Sequence, residues 1–242
     1  MATKQRMWGV NIWRIWAKST TGWFPSRACG QTRRCITRWI WSRIRQPPTR
    51  EKGKNDPSFR TKLKIGLQLV QRAIQETWPF RAVVADSFYG EDRGFRDGLS
   101  KLKAAYVLAL KPSHAWWHPE NVAGTLQDVA HEAGWQCAEQ PGEWVRITRT
   151  FRDGSTQQWW ALEIVAGPFG PEKVERAIVT TTDPVTLPDL TTWYLVTNLP
   201  APAELSATVV QFATASLEEV IRLYGLRMWV EQNYKQVKHA LG

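Results

Sequence analysis

The chain has 242 residues, with 32 lysines and arginines, 22 aspartates and glutamates, 43% hydrophobic residues and a formal net charge of +10. That composition supplies one good core and argues against wholesale disorder, and no apolar run approaches the roughly 18 residues that a membrane span needs. The cysteines Cys29, Cys35 and Cys137 form no paired framework and no secretory leader is visible, so a reducing cytoplasm is the expected compartment.

The charge is segregated along the chain. Residues 1–50 hold 11 of the cations, six of the 15 tryptophans and no acid; the remainder carries 21 cations against 22 acids. Trp8, Trp13, Trp16, Trp23, Trp39 and Trp41 are scattered among arginine and threonine without helical or strand periodicity. One reading is a basic arm that tracks phosphates and stacks on bases. The other is translation out of frame. Suitable codons for Trp16–Trp23, with two bases dropped, encode GKIDNGV, and Cys35–Pro48 gives YYPLDLEPYTPA in the same shifted frame. Ordinary patterning returns abruptly after Arg50, which favours the second reading.

From Glu51 the elements are legible in order. Pro57 and Ser58 open a predicted helix to about Thr77, with Phe59, Leu63, Leu67, Val70 and Ile74 on its apolar stripe. Residues 81–86 (RAVVAD) read as a buried strand that delivers Asp86 at its C-terminal end. A turn and a helix marked by Phe95, Leu99 and Leu102 follow, and residues 105–110 (AYVLAL) form a second buried strand. Strand, helix and strand in close succession predict parallel pairing with a right-handed crossover.

Residues 112–123 read as loop and 125–133 as a short helix. A hairpin is expected through Asp153-Gly154, where Arg149 interrupts the apolar side made by Val145, Ile147 and Phe151. ERAIVTTT and TWYLVTNLP read as two further strands. Ser216 caps a closing helix with Glu218 and Glu219 in its first turn. The expected organisation is a basic, poorly ordered segment 1–50, a core 51–111, a β-rich insertion 112–203 and a core helix 204–242.

The closing helix carries the most informative spacing. At about 100° per residue, Tyr224, Arg227, Glu231 and Lys238 share one face over about 21 Å of axis. Cations that hold phosphates beside a carboxylate that binds a metal suit a phosphodiester backbone. A solvated face with an Arg227–Glu231 pair is the plainer alternative on spacing alone. Asp86, at a strand end where open α/β sheets bind ligands, favours the first reading over a simple turn or cap aspartate. His114, His118 and His131 lie near prolines with no cysteine close by, so zinc is not expected. Trp116, Trp117, Trp159 and Trp160 read as packing residues rather than base-stacking platforms.

VVADSFYGEDRGF, together with Tyr224, Arg227, Glu231 and Lys238, resembles the DDE transposases of bacterial insertion sequences. The closer likeness is to the group with a Tyr-Arg-Glu-Lys signature preceded by a β-strand insertion. The resemblance covers about residues 51–242. It implies an α/β fold with a ribonuclease H-like core, here incomplete at its N-terminal strands. Asp86 becomes the second acidic ligand and Glu231 the third, while Tyr224, Arg227 and Lys238 contact the backbone of the transposon end. It implies two Mg²⁺ or Mn²⁺ ions, double-stranded DNA ends and target as partners, a possible homodimer and a place at the nucleoid. Two ions about 4 Å apart would serve strand cleavage and transfer by in-line displacement. The family's first aspartate has no clear match, because Asp56 before Pro57 is the sole aspartate ahead of Asp86. The sequence also stops four residues after Lys238. These features predict a defective transposase; a non-enzymatic DNA-binding protein that uses the basic arm is the alternative.

Overall fold

The computed structural model describes residues 60–118, 121–151, 153–165, 175–202 and 212–227. Helix α1 (Lys62–Gln75) begins later than its sequence suggests, because Thr61 is extended and its Oγ1 accepts from the Lys64 amide at 3.3 Å. That cap, not Pro57–Ser58, starts the helix. Its buried side is Gly66, Leu69 and Val70, with Leu63 and Leu67 half-buried, while Ile74 in the last turn is 37% exposed and falls outside the stripe. Phe59 lies outside the described residues.

Strand β1 (Val83–Ala85), the one-turn helix α2 (Ser87–Gly90), helix α3 (Arg93–Lys101) and strand β2 (Tyr106–Leu110) form the expected unit. β1 and β2 run parallel with Val83 opposite Tyr106. Both strands are buried along their whole length, which accounts for their unbroken apolar sequence. Asp92 caps α3 by accepting from the Phe95 amide at 2.6 Å.

The loop expected at 112–123 is instead an antiparallel pair, β3 (Ala115–His118) and β4 (Asn121–Thr125). Trp116 is 1% exposed and anchors this pair in the core. The prolines that suggested a loop bracket β3 rather than interrupt it: Pro112 precedes it and Pro119 follows it. Helix α4 (Leu126–Glu132) then starts on a capping box in which Thr125 and Asp128 satisfy each other's amides.

Strands β5 (Val145–Thr150), β6 (Thr156–Val165), β7 (Arg176–Thr181) and β8 (Trp193–Thr197) are sequential antiparallel neighbours. β8 also pairs antiparallel with β2, Leu108 facing Val196. One six-stranded sheet in the order β1-β2-β8-β7-β6-β5 results. The strands read as an insertion therefore extend the sheet that carries Asp86. The architecture is mixed α/β with a mostly antiparallel sheet, consistent with a ribonuclease H-like domain.

Strand alternation divides the apolar side chains between two cores. Val83, Ala85, Tyr106, Leu108, Leu162 and Val196 face Leu69, Val70, Phe95 and Leu99 of α1 and α3. Val84, Val107, Ala161, Ile178 and Leu195 face the opposite way, toward Val220, Ile221, Leu223 and Tyr224. Those four belong to helix α5, residues 217–227, whose expected cap is present: Ser216 Oγ accepts from the Glu219 amide at 3.2 Å. Trp159 and Trp160 lie on opposite faces and both are buried, as packing residues should be.

Candidate active site

Asp86 follows β1 and occupies the cap position of α2, yet its side chain makes no capping hydrogen bond. The backbone takes over that role, with the Asp86 carbonyl accepting from the amides of Tyr89 (3.1 Å) and Gly90 (3.0 Å). The carboxylate is thereby left for something other than local structure. Its Oδ2 lies 3.6 Å from Arg227 Nη2, whereas Oδ1 is buried with no hydrogen-bond partner among the described residues. The neighbouring Tyr89 phenol is pushed above its ordinary value, first by burial and then by the Asp86 charge.

Helix α5 supplies the other side. Arg227 reaches Asp86 and also donates through Nη1 to the Tyr224 hydroxyl at 3.3 Å. The Tyr224 ring is 7% exposed and meets Trp193 edge-on, centroids 5.0 Å apart. Tyr224 thus packs against the sheet and holds Arg227 with its hydroxyl. Three expected site residues, Asp86, Tyr224 and Arg227, are brought together although the outer pair stands 141 residues apart in sequence (227 less 86). Glu231 and Lys238 lie outside the described residues.

Two groups of charged residues have surroundings that the sequence did not show. Arg96 and Glu175 are 2% and 3% exposed; Arg96 Nη1 donates to the Gly90 carbonyl at 2.8 Å, and the Tyr106 hydroxyl donates to Glu175 Oε1 at 2.9 Å. Arg176 donates to the carbonyls of Leu199 (2.8 Å) and Ala215 (3.0 Å) and pairs with Glu163, tying the sheet to the approach of α5. Acidic and basic residues standing directly before the apolar run of β7 were the available signal. Arg149 is the second case, held among aromatic rings. His114 Nδ1 is 3.2 Å from Glu91 Oε2, so its partner is a carboxylate.

Among the described residues no three histidine, cysteine, aspartate or glutamate side chains cluster as a metal site. The orphaned Oδ1 of Asp86 nonetheless fits one oxygen ligand of a hard cation.

A family model described as DDE superfamily endonuclease matches residues 19–161, more than half of the chain. The match begins within the basic segment and includes Asp86. The chain belongs to the DDE superfamily endonucleases. It is also similar to a probable transposase for insertion sequence element IS701 from Microchaete diplosiphon, 29% identical over 194 residues. That alignment covers 80% of this chain and 43% of the relative, so the chain spans less than half the length of the protein it matches. Both findings agree with the likeness to DDE transposases of insertion sequences; the family match includes the Asp86 segment and ends before Tyr224.

Proposed function

We propose that this chain carries part of a DDE transposase site, built for metal-dependent DNA strand cleavage and strand transfer at insertion-sequence ends. The observation that carries the reading is the meeting of Asp86, with one unpartnered carboxylate oxygen, and Arg227 of α5. Glu231 stands four residues after Arg227, the interval that brings neighbours onto one helix face. In this reading Asp86 and Glu231 hold Mg²⁺ or Mn²⁺, Arg227 and Lys238 grip phosphates, and Tyr224 positions Arg227. When bound, the ions would neutralise charge on the scissile phosphate and lower the pKa of the attacking water or 3′-hydroxyl. Arg227 orients the Asp86 carboxylate from the other oxygen, and the buried Tyr224–Trp193 contact fixes Arg227 against the sheet.

Residues 1–85 offer Asp56 alone as a first acidic aspartate, so these 242 residues by themselves are expected not to cleave. Incubation with supercoiled plasmid and Mg²⁺ or Mn²⁺ should leave it intact; nicking that disappears in Asp86→Asn would overturn the expectation of a defective site. Duplex binding tests the DNA-facing part. Arg227→Ala and Lys238→Ala should each reduce the slope of log affinity against log salt by about 0.9. The second reading, a non-enzymatic binder, rests on the 11 cations of residues 1–50. It requires instead that removing residues 1–50 abolish the salt-dependent binding while Arg227→Ala and Lys238→Ala leave it unchanged.

A further inference from the structure

On the α5 face of the sheet, β5 presents Ile147 and then Arg149 two residues on. Ile147 is buried, as alternation requires; at the next inward position a cation stands where an apolar side chain belongs. The Arg149 guanidinium carbon lies 4.1 Å from the ring centroid of Trp193, 4.5 Å from that of Trp159 and 4.8 Å from that of Phe151. Helix α5 makes room for it with a glycine: a Cβ on Gly225 would stand 3.3 Å from Arg149 Nη2 and 3.7 Å from Trp193.

Among the described residues no carboxylate, hydroxyl or carbonyl pairs with this guanidinium, although every other buried or half-buried arginine discussed above has such a partner. Burial without an anion to offset it pulls Arg149 down to about 10. A leucine or methionine would fill the same space without that cost. The arginine is nevertheless charged at neutral pH, and its nitrogens are not among the sealed, unsatisfied atoms of the structure. Three rings cannot all lie on the two faces of one guanidinium, so the N–H groups left for an acceptor are those of the Arg149 nitrogens that are not sealed. The guanidinium fork matches two oxygens of a phosphate.

The position gives the anion a source. Trp193, which touches Arg149, also packs against Tyr224; Tyr224 bonds Arg227, and Arg227 faces Asp86. A chain of contacts therefore links Asp86, beyond β1, to Arg149 on β5 at the opposite edge of the sheet.

We propose that Arg149, held among Trp193, Trp159 and Phe151 and accommodated by Gly225, binds a backbone phosphate of the DNA strand that passes Asp86. The proposal rests on the reading that the Asp86–Arg227 face receives DNA, and it adds a phosphate contact from the sheet to those from the helix. It also gives the aromatic residues a second role: besides filling the core, they hold a fork-shaped donor ready for its ligand.

Titration of the full chain with a fluorescent DNA duplex over a series of salt concentrations tests this. Arg149→Met should bind roughly ten-fold more weakly, with a salt slope shallower by about 0.9, and should melt no lower than the parent chain. Arg149→Lys should keep the slope and lose affinity several-fold, because the charge remains but the planar fork does not. An unchanged affinity and slope in Arg149→Met, or a lowered melting temperature with an unchanged slope, would overturn the proposal and make Arg149 a packing residue. Arg227→Ala and Lys238→Ala in the same titration separate the two ideas. If they lower the slope and Arg149→Met does not, the Arg149 proposal fails and the reading of the helix stands. If Arg149→Met alone lowers it, the helix reading fails, and the proposal that the phosphate belongs to the strand passing Asp86 is overturned with it.

Discussion

Gly90→Ala places a Cβ 1.9 Å from the Ala109 carbonyl oxygen and 3.0 Å from its carbon. Neither atom can yield easily, because Ala109 is a β2 residue registered against Leu195 of β8. The other side is also held, since the Gly90 amide donates to the Asp86 carbonyl at 3.0 Å. Restoring an ordinary contact of 3.4 Å needs a displacement of about 1.5 Å (3.4 less 1.9) of α2 from the sheet. Overpacking costs about 1–3 kcal/mol, and a backbone obstacle puts this case near the upper end, ~3 kcal/mol. For a chain of this size that corresponds to a fall of about 6–12 °C in melting temperature. Gly98→Ala is the matched comparison. Its Cβ would meet Leu67 Cδ1 at 2.7 Å, but Leu67 is a half-buried side chain able to rotate, and alanine favours the helix by about 1 kcal/mol. Thermal unfolding followed by circular dichroism should therefore place Gly90→Ala well below Gly98→Ala. Equal melting temperatures for the two would refute the argument that α2 is seated on β2 by the missing Cβ. Because Asp86 is the cap residue of α2, the same displacement should also disturb the Asp86–Arg227 contact.

Tyr106→Phe removes the donor to Glu175 Oε1 in a buried setting and should cost about 1–3 kcal/mol, read from chemical denaturation; no loss would mean that the pair is neutral to stability. Thr125→Ala breaks the capping box of α4 and should cost about 0.5–2 kcal/mol by the same measurement. Asp128, Asp153 and Asp183 are held below the ordinary carboxylate value, chiefly by side-chain hydrogen bonds from Thr125, Ser155 and Thr186 respectively. Their stabilisation is complete above the unfolded value of about 3.9 and is lost as pH falls through the lower folded values. Acid unfolding of the triple asparagine variant should accordingly show a weaker pH dependence in that window, and an identical dependence would exclude these groups.

Most elements were legible because local pattern and tertiary environment agree. β1 and β2 are apolar throughout and buried on both faces, and Ser216 caps α5 as its position indicates. What sequence could not show was pairing across distance. Nothing local in TWYLVTNLP says that β8 lies beside β2, so the sequence showed a β-rich insertion without showing that its strands join the sheet of β1 and β2. The β3–β4 pair was hidden by its prolines and histidines, with the burial of Trp116 as the deciding fact. For the site, the strand-end position of Asp86 and the Tyr224–Arg227 spacing singled out residues that the structure places in contact. Arg149 was visible as a break in an alternating strand, but its meaning needed Trp193, Trp159 and Gly225, which come from two other strands and a helix.

In the proposed site the Asp86 carboxylate and Glu231 together hold a divalent ion beside Arg227. Titration of the full chain with Mn²⁺, followed by the electron paramagnetic resonance signal of the unbound ion, tests it without relying on turnover. Uptake by the parent chain that is strongly weakened by Asp86→Asn and by Glu231→Gln, but not by Asp153→Asn, is the predicted result. Mn²⁺ affinity that is the same in the parent chain and in both site variants would contradict it.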